Sequence, residues 1–242
     1  PIYTRGEISV MGWDKSQVRV KGELDDLTEE FIFEADDKVT TIRVEMEKRS
    51  ISHGDGSDLD IWVPKGSKVW FDGVSSDFDI SNVSGGSSIK TVSGDIHAEG
   101  LSERIQINAV SGDVEIEDSS AKIKVTTVSG DMDIKVNADA AAFSTVSGDI
   151  EAELGTYSRL SVSSVSGEIE ISGTLADSGE VSAESVSGEV HLHFEGEVNA
   201  EISARAGISG EIENQLNDQE PKGKFPGGAR LSTRVEIGRA HV

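Results

Sequence analysis

Hydrophobic and polar residues alternate at period 2 along most of this chain, and the alternation slips phase at regular intervals. Ile123, Val125 and Thr127 share one parity, whereas Val128, Gly130, Met132, Ile134 and Val136 share the other. Period 2 predicts strands with one buried face. The slip between Thr127 and Val128 predicts a corner, with both sets pointing inward. It recurs where Ile105, Ile107 and Ala109 lead to Val110, Gly112, Val114 and Ile116. It recurs again where Leu160, Val162 and Ser164 lead to Val165, Gly167, Ile169 and Ile171. Each unit therefore reads as two strands joined by a sharp corner and closed by a looser turn. Asn137-Ala138-Asp139-Ala140 and Ala176-Asp177-Ser178-Gly179 are such turns.

The slips fall on a repeated phrase. Val92-Ser93-Gly94-Asp95 returns at Val110, Val128 and Val146 in steps of 18 residues, then at Val165, Val186 and Ile208 in steps of 19, 21 and 22, with Glu as the last residue. Upstream, Val74-Ser75-Ser76-Asp77 and Val83-Ser84-Gly85-Gly86 are looser forms. A repeat near 20 residues marks a solenoid. The expected fold is all-β: a parallel single-stranded β-helix with 18–22 residues per coil. About seven to nine coils stacked at ~4.8 Å would form a rod of roughly 35–45 Å. Thr91, Ala109, Thr127, Thr145, Ser164 and Ser185 would form an inward ladder of small residues before the corner. Gly94, Gly112, Gly130, Gly148, Gly167, Gly188 and Gly210 would supply unusual dihedrals or a close backbone approach.

Residues 1–70 differ from the repeats. They hold all 3 Trp residues and longer alternating strands, with Asp36-Asp37 as a hairpin turn after Phe31-Ile32-Phe33. This stretch is expected to cap the solenoid and continue into it, shielding an open pairing edge. Residues 71–235 are then the repeats. Residues 236–242 (Glu236, then Ile237 to Val242) break the pattern and read like a translated sequencing adapter, hence as a non-native tail. The chain begins at Pro1 rather than Met, so an export signal preceding it is compatible with the sequence.

Charge narrows the partners. A formal net charge of −23 argues against nucleic-acid phosphates and anionic lipid headgroups. With 36% apolar residues and few aromatics, a thin solenoid can be filled but a thick globular core cannot. The absence of Cys excludes disulfides and thiolate metal sites. No run approaches the roughly 20 apolar residues of a membrane span.

Three groups of residues invite chemistry. Asp95, Asp113, Asp131, Asp149, Glu168, Glu189 and Glu211 should sit outward, one per coil, where like charges repel and calcium could relieve them. The calcium-binding nonapeptide solenoid needs G-G-x-G-x-D-x-U-x, however, and these repeats carry one Gly where it needs three, so a solvated acidic face is the expectation. His191 and His193 alternate with Val190, Leu192 and Phe194 and should project from one face. Two His at period 2 could hold zinc or copper, but no third ligand stands at a defined spacing. His53-Gly54-Asp55-Gly56-Ser57-Asp58 reads as a turn, lacking the Lys-Ser/Thr and helix of a phosphate loop. Outward Thr126, Ser144, Ser161 and Ser163 form no Ser-His-acid set. No catalytic, cofactor-binding or metal-ligating residues are assigned, and no cofactor is expected.

Leu59-Asp60-Ile61-Trp62-Val63-Pro64-Lys65-Gly66 resembles the L-x-I-x-V-P-x-G segment of a bacterial adhesin family of β-helix repeat proteins, a domain-of-unknown-function class of the cell envelope. The opening Gly6-Glu7-Ile8-Ser9-Val10-Met11-Gly12-Trp13-Asp14 is similar to its G-x-I-x-V-x-G-W-D start, and the S-G-D/E corners are similar to its repeats. The likeness covers residues 5–235. It implies a β-helix in the periplasm or at the cell surface, without catalytic residues to carry over. The resulting expectation is a non-enzymatic, monomeric display or binding module. Its partner would be an unknown protein, glycan or envelope component, without nucleic acid or direct membrane insertion. The alternatives are a self-assembling scaffold and, less favoured because short coils leave little loop for a cleft, a carbohydrate-active β-helix enzyme.

Overall fold

A computed structural model describes residues 2–46, 56–196, 198–207 and 229–235. Its seventeen strands carry the fold. The first five are β1 (Ile2–Trp13), β2 (Arg19–Glu23), β3 (Thr28–Ala35), β4 (Thr40–Met46) and β5 (Asp58–Pro64). Next come β6 (Val69–Ser81), β7 (Ser87–Thr91), β8 (Ile96–Glu99), β9 (Ser102–Ala109), β10 (Val114–Thr126) and β11 (Met132–Asn137). The remainder are β12 (Ala140–Ser147), β13 (Ile150–Ser166), β14 (Ile169–Ser187), β15 (Val190–Phe194), β16 (Ala200–Ala206) and β17 (Ala229–Val235). The expected parallel β-solenoid is what forms.

Two ladders of parallel strand segments run along the stack. On one, the inward rungs are Leu59, Ile8, Phe78, Ile96, Val114, Met132, Ile150, Ile169 and Val190. On the other they are Val69, Ser87, Ile105, Ile123, Ala141, Leu160, Val181 and Ile202. Between them lies the apolar core, in which Ile105, Ile107, Ile116 and Ile134 are fully shielded. The small inward ladder falls where the sequence put it: Thr91, Ala109, Thr127, Thr145, Ser164 and Ser185 are all buried. Where the sequence suggests two strands per coil, β13 and β14 each run on through the second bend. That bend shows as register shifts, one of them between Leu154 and Thr156. It also shows as left-handed backbone at Asn82 (φ 57°), Gly100 (φ 62°) and Asp118 (φ 47°). These three residue types tolerate that conformation, and they too recur at a step of 18.

The beginning of the chain does not stack in chain order. β1 lies between β5 and β6, parallel to both, so the first strand runs inside the solenoid. β2 pairs antiparallel with β5 at one end of the sheet, and β17 pairs antiparallel with β16 at the other. β3 and β4 form a separate hairpin, turned at Asp36, whose Oδ1 accepts the N–H groups of Lys38 (2.7 Å) and Val39 (2.8 Å). Asp25, although buried, is satisfied: Oδ1 accepts Leu27 N–H at 2.7 Å and Oδ2 accepts Gly56 N–H at 2.8 Å. The proposed tail at 236–242 and the corner Ile208–Glu211 lie outside the described residues.

Ser87 is the one polar rung between Val69 and Ile105, and its buried Oγ has no hydrogen-bond partner among the described residues. An unsatisfied buried hydroxyl destabilises, so Ser87→Ala should raise stability by about 1 kcal/mol. Urea denaturation checks this, and a loss of stability would place a partner on the hydroxyl.

Candidate functional site

The repeated corner is the most distinctive surface of the molecule, and each of its four residues has a separate physical role. Take Val128 to Asp131. Ser129 donates its backbone N–H to the Val110 carbonyl of the preceding coil at 2.9 Å. Gly130 has φ 119°, and a Cβ there would overlap the Gly112 carbonyl oxygen beneath it. The same contact joins Gly148 to Gly130, Gly167 to Gly148 and Gly188 to Gly167, so a Cβ at any of these four glycines would overlap the backbone beneath it. Asp131 donates its N–H to Asp113 Oδ1 at 2.8 Å. The chain then enters the next strand, where Met132 N–H reaches the Asp149 carbonyl at 2.9 Å.

Val128 corrects the parity reading, which placed the corner valines inward. Val92, Val110, Val128, Val146, Val165 and Val186 are 46–55% exposed. The buried set passes from Thr127 directly to Met132, an odd interval. The phase slip is therefore real, but all four corner residues lie within it. Val occupies the outer apex. The six valines form a continuous apolar ridge along one edge of the rod, at the ~4.8 Å spacing of stacked strands.

Beside the ridge runs the acidic row, exposed as expected from Asp95 to Glu189, with Glu211 outside the described residues. It extends further than the repeat phrase shows, because Asp58, Glu7 and Asp77 occupy the equivalent positions of earlier rungs. Its carboxylates are chiefly structural. Asp77, Asp95, Asp113, Asp131 and Asp149 each accept, through Oδ1, the N–H of the next acidic residue at 2.7–2.9 Å. Asp58 does the same for Glu7 at 3.0 Å. Among the described residues, neither Glu7 nor Glu168 takes the N–H of the following rung. One extra methylene carries the carboxylate past the amide. The carboxyl of Glu7 is held above the usual range, chiefly by a hydrogen bond with the Asp79 side chain and then by the charge of Asp79. Glu168 turns instead to a histidine.

His191 and His193 project outward from β15, as the alternation requires. His191 Nε2 lies 3.5 Å from Glu168 Oε1 and 3.2 Å from Glu189 Oε2. His193 Nε2 lies 3.7 Å from Glu170 Oε1. The carboxylates that gather at His191 could not be found from spacing along the chain. Glu168 comes from the preceding coil, and only the pairing of β14 with β15 brings it there. The turn at His53 lies partly outside the described residues; within it, Gly56 and Ser57 hold Asp25. Ser144 and Ser163, singled out as outward hydroxyls, hydrogen-bond each other at 3.0 Å across adjacent coils.

The sequence profile of the Toastrack DUF4097 domain matches residues 7–224. The chain belongs to this family. No curated protein and no solved structure matches it. The Toastrack match spans the β1–β5–β6 junction as well as the repeated corners from Val92 to Glu189. In this Toastrack domain no helix among the described residues is long and apolar enough to cross a membrane.

The Asp column yields a sharp test. Asp131→Glu should cost about 1.5–3 kcal/mol, the worth of a hydrogen bond to a charged group. Asp131→Asn keeps an acceptor at the same reach and should cost clearly less. Equal losses in denaturant unfolding would mean that the bond to the next coil is not what selects Asp.

Proposed function

We propose that this Toastrack domain is a non-catalytic binding module, displayed by an exported protein of the bacterial cell envelope and acting in adhesion-type contacts. The observation that carries the reading is the valine ridge. Six half-exposed β-branched residues in one uninterrupted row form an apolar patch of the kind that marks interaction sites. The structural duties of the corner fall on Ser, Gly and Asp, and none of the corner hydrogen bonds uses a Val side chain.

The adjoining acidic row and the net charge of −23 define the partner's chemistry: a polypeptide with an apolar stripe bordered by Lys or Arg. An amphipathic helix fits the ridge, because its pitch of about 5.4 Å is close to the ~4.8 Å step of the valines. Complementary charge would favour such a partner over nucleic acid or an anionic membrane surface. Antiparallel β2 and β17 at the two ends of the sheet, together with the net charge, favour a discrete monomeric module over end-to-end stacking.

Binding of a synthetic Leu/Lys amphipathic peptide, compared with a Ser/Lys peptide of equal charge, tests the ridge. The Leu/Lys peptide should bind more tightly. The triple variant Val110→Ser, Val128→Ser, Val146→Ser should weaken that binding at least about tenfold, corresponding to 1.4 kcal/mol or more, while leaving the fold intact by circular dichroism. Equal binding of the two peptides, or no effect of the triple variant, would remove the ridge as the contact surface.

A further inference from the structure

We propose that Glu168, Glu189 and His191 form a binding site for a divalent transition-metal ion of the zinc class. This inference is independent of the valine ridge. One ligand atom from each of the three residues lies within 4.8 Å of the other two. Two of the separations, 3.2 Å and 3.5 Å to His191 Nε2, are close to what coordination requires. In a tetrahedral site with bonds of about 2.0–2.1 Å, neighbouring donor atoms stand about 3.3–3.4 Å apart. Rotation of the exposed glutamate side chains would bring their oxygens into the set.

Two further observations separate this cluster from the rest of the acidic row. The aspartates from Asp77 to Asp149 are each committed to a backbone N–H of the following coil. Glu168 makes no such bond among the described residues, and the only described side-chain partner of Glu168 and of Glu189 is His191. The Glu168 carboxylate can therefore turn to an ion without unpinning a corner. The cluster also contains an imidazole nitrogen. Calcium prefers six to eight oxygen ligands, whereas one nitrogen and two carboxylates suit zinc or copper. The ion would also relieve the repulsion between two neighbouring carboxylates. Three protein ligands leave a fourth position open, for water or for a donor on a partner molecule. The ion would tie the coil of β14 to that of β15.

Isothermal titration of the full chain with zinc chloride, in parallel with thermal melts, tests the site. The expected result is one equivalent bound in the micromolar range, with a rise in Tm that calcium chloride at the same concentration does not reproduce. His191→Ala should lower the affinity at least about tenfold, the equivalent of 1.4 kcal/mol. His97→Ala is the control, because His97 makes a comparable exposed contact with a single carboxylate, Glu115, at 3.0 Å; it should leave the affinity unchanged. Absence of both heat and melting shift would overturn the proposal. So would retention of full affinity in His191→Ala, or loss of affinity in His97→Ala.

Discussion

From Gly94 to Gly188 each coil is fixed to the one beneath it at a corner where a glycine's backbone lies too close to its neighbour for a Cβ. Left-handed glycines meet the preceding coil's carbonyl there, and the amide that follows has a neighbouring carboxylate in place of a ladder carbonyl. A strand-to-strand ladder satisfies its own polar groups, whereas a corner amide needs an acceptor from elsewhere. Asp supplies the missing acceptor from one coil down. Gly permits the approach, and Ser continues the backbone ladder to the Val carbonyl. The alignment of the inward Ile, Val and Phe rungs depends on this clasp, because a slip of one residue would turn every buried side chain outward.

The clasp also explains the surface. From Asp77 to Asp149 each Asp is bound by hydrogen bonding to the next coil, so there the acidic row is first a structural consequence. Its charge is a by-product that then constrains any partner. Val is released from the core by the same geometry, since the corner takes it out of the buried parity. Function can therefore enter where the clasp is relaxed. At Glu168 the longer side chain no longer reaches the next amide, and its carboxylate is available to His191. A structural column becomes a potential ligand set through one added methylene.

Much of this was legible in the sequence. The step of 18 residues, the inward ladder from Thr91 to Ser185 and the glycine column follow from periodicity alone, because stacking converts a sequence repeat into a spatial one. The outward valines were not legible. Parity fixes which residues share a face within a strand, but it cannot say how many residues a corner consumes. The insertion of β1 between β5 and β6 was hidden for a different reason: pairing order between non-adjacent strands leaves no local pattern. The partners of His191 were hidden likewise, because a neighbour one coil away is distant along the chain.

The claim that carboxylates of the preceding coil fix the corners is tested most directly by native-state hydrogen exchange at single amides. The N–H groups of Asp113, Asp131 and Asp149 belong to exposed residues and bond only to a side-chain oxygen. They should nevertheless be protected to nearly the same degree as the strand amides of Ile116 and Ile134, opening only when neighbouring coils separate. Exchange at the rate of an unstructured amide, with the strands still protected, would contradict the clasp and leave core packing alone to set the register.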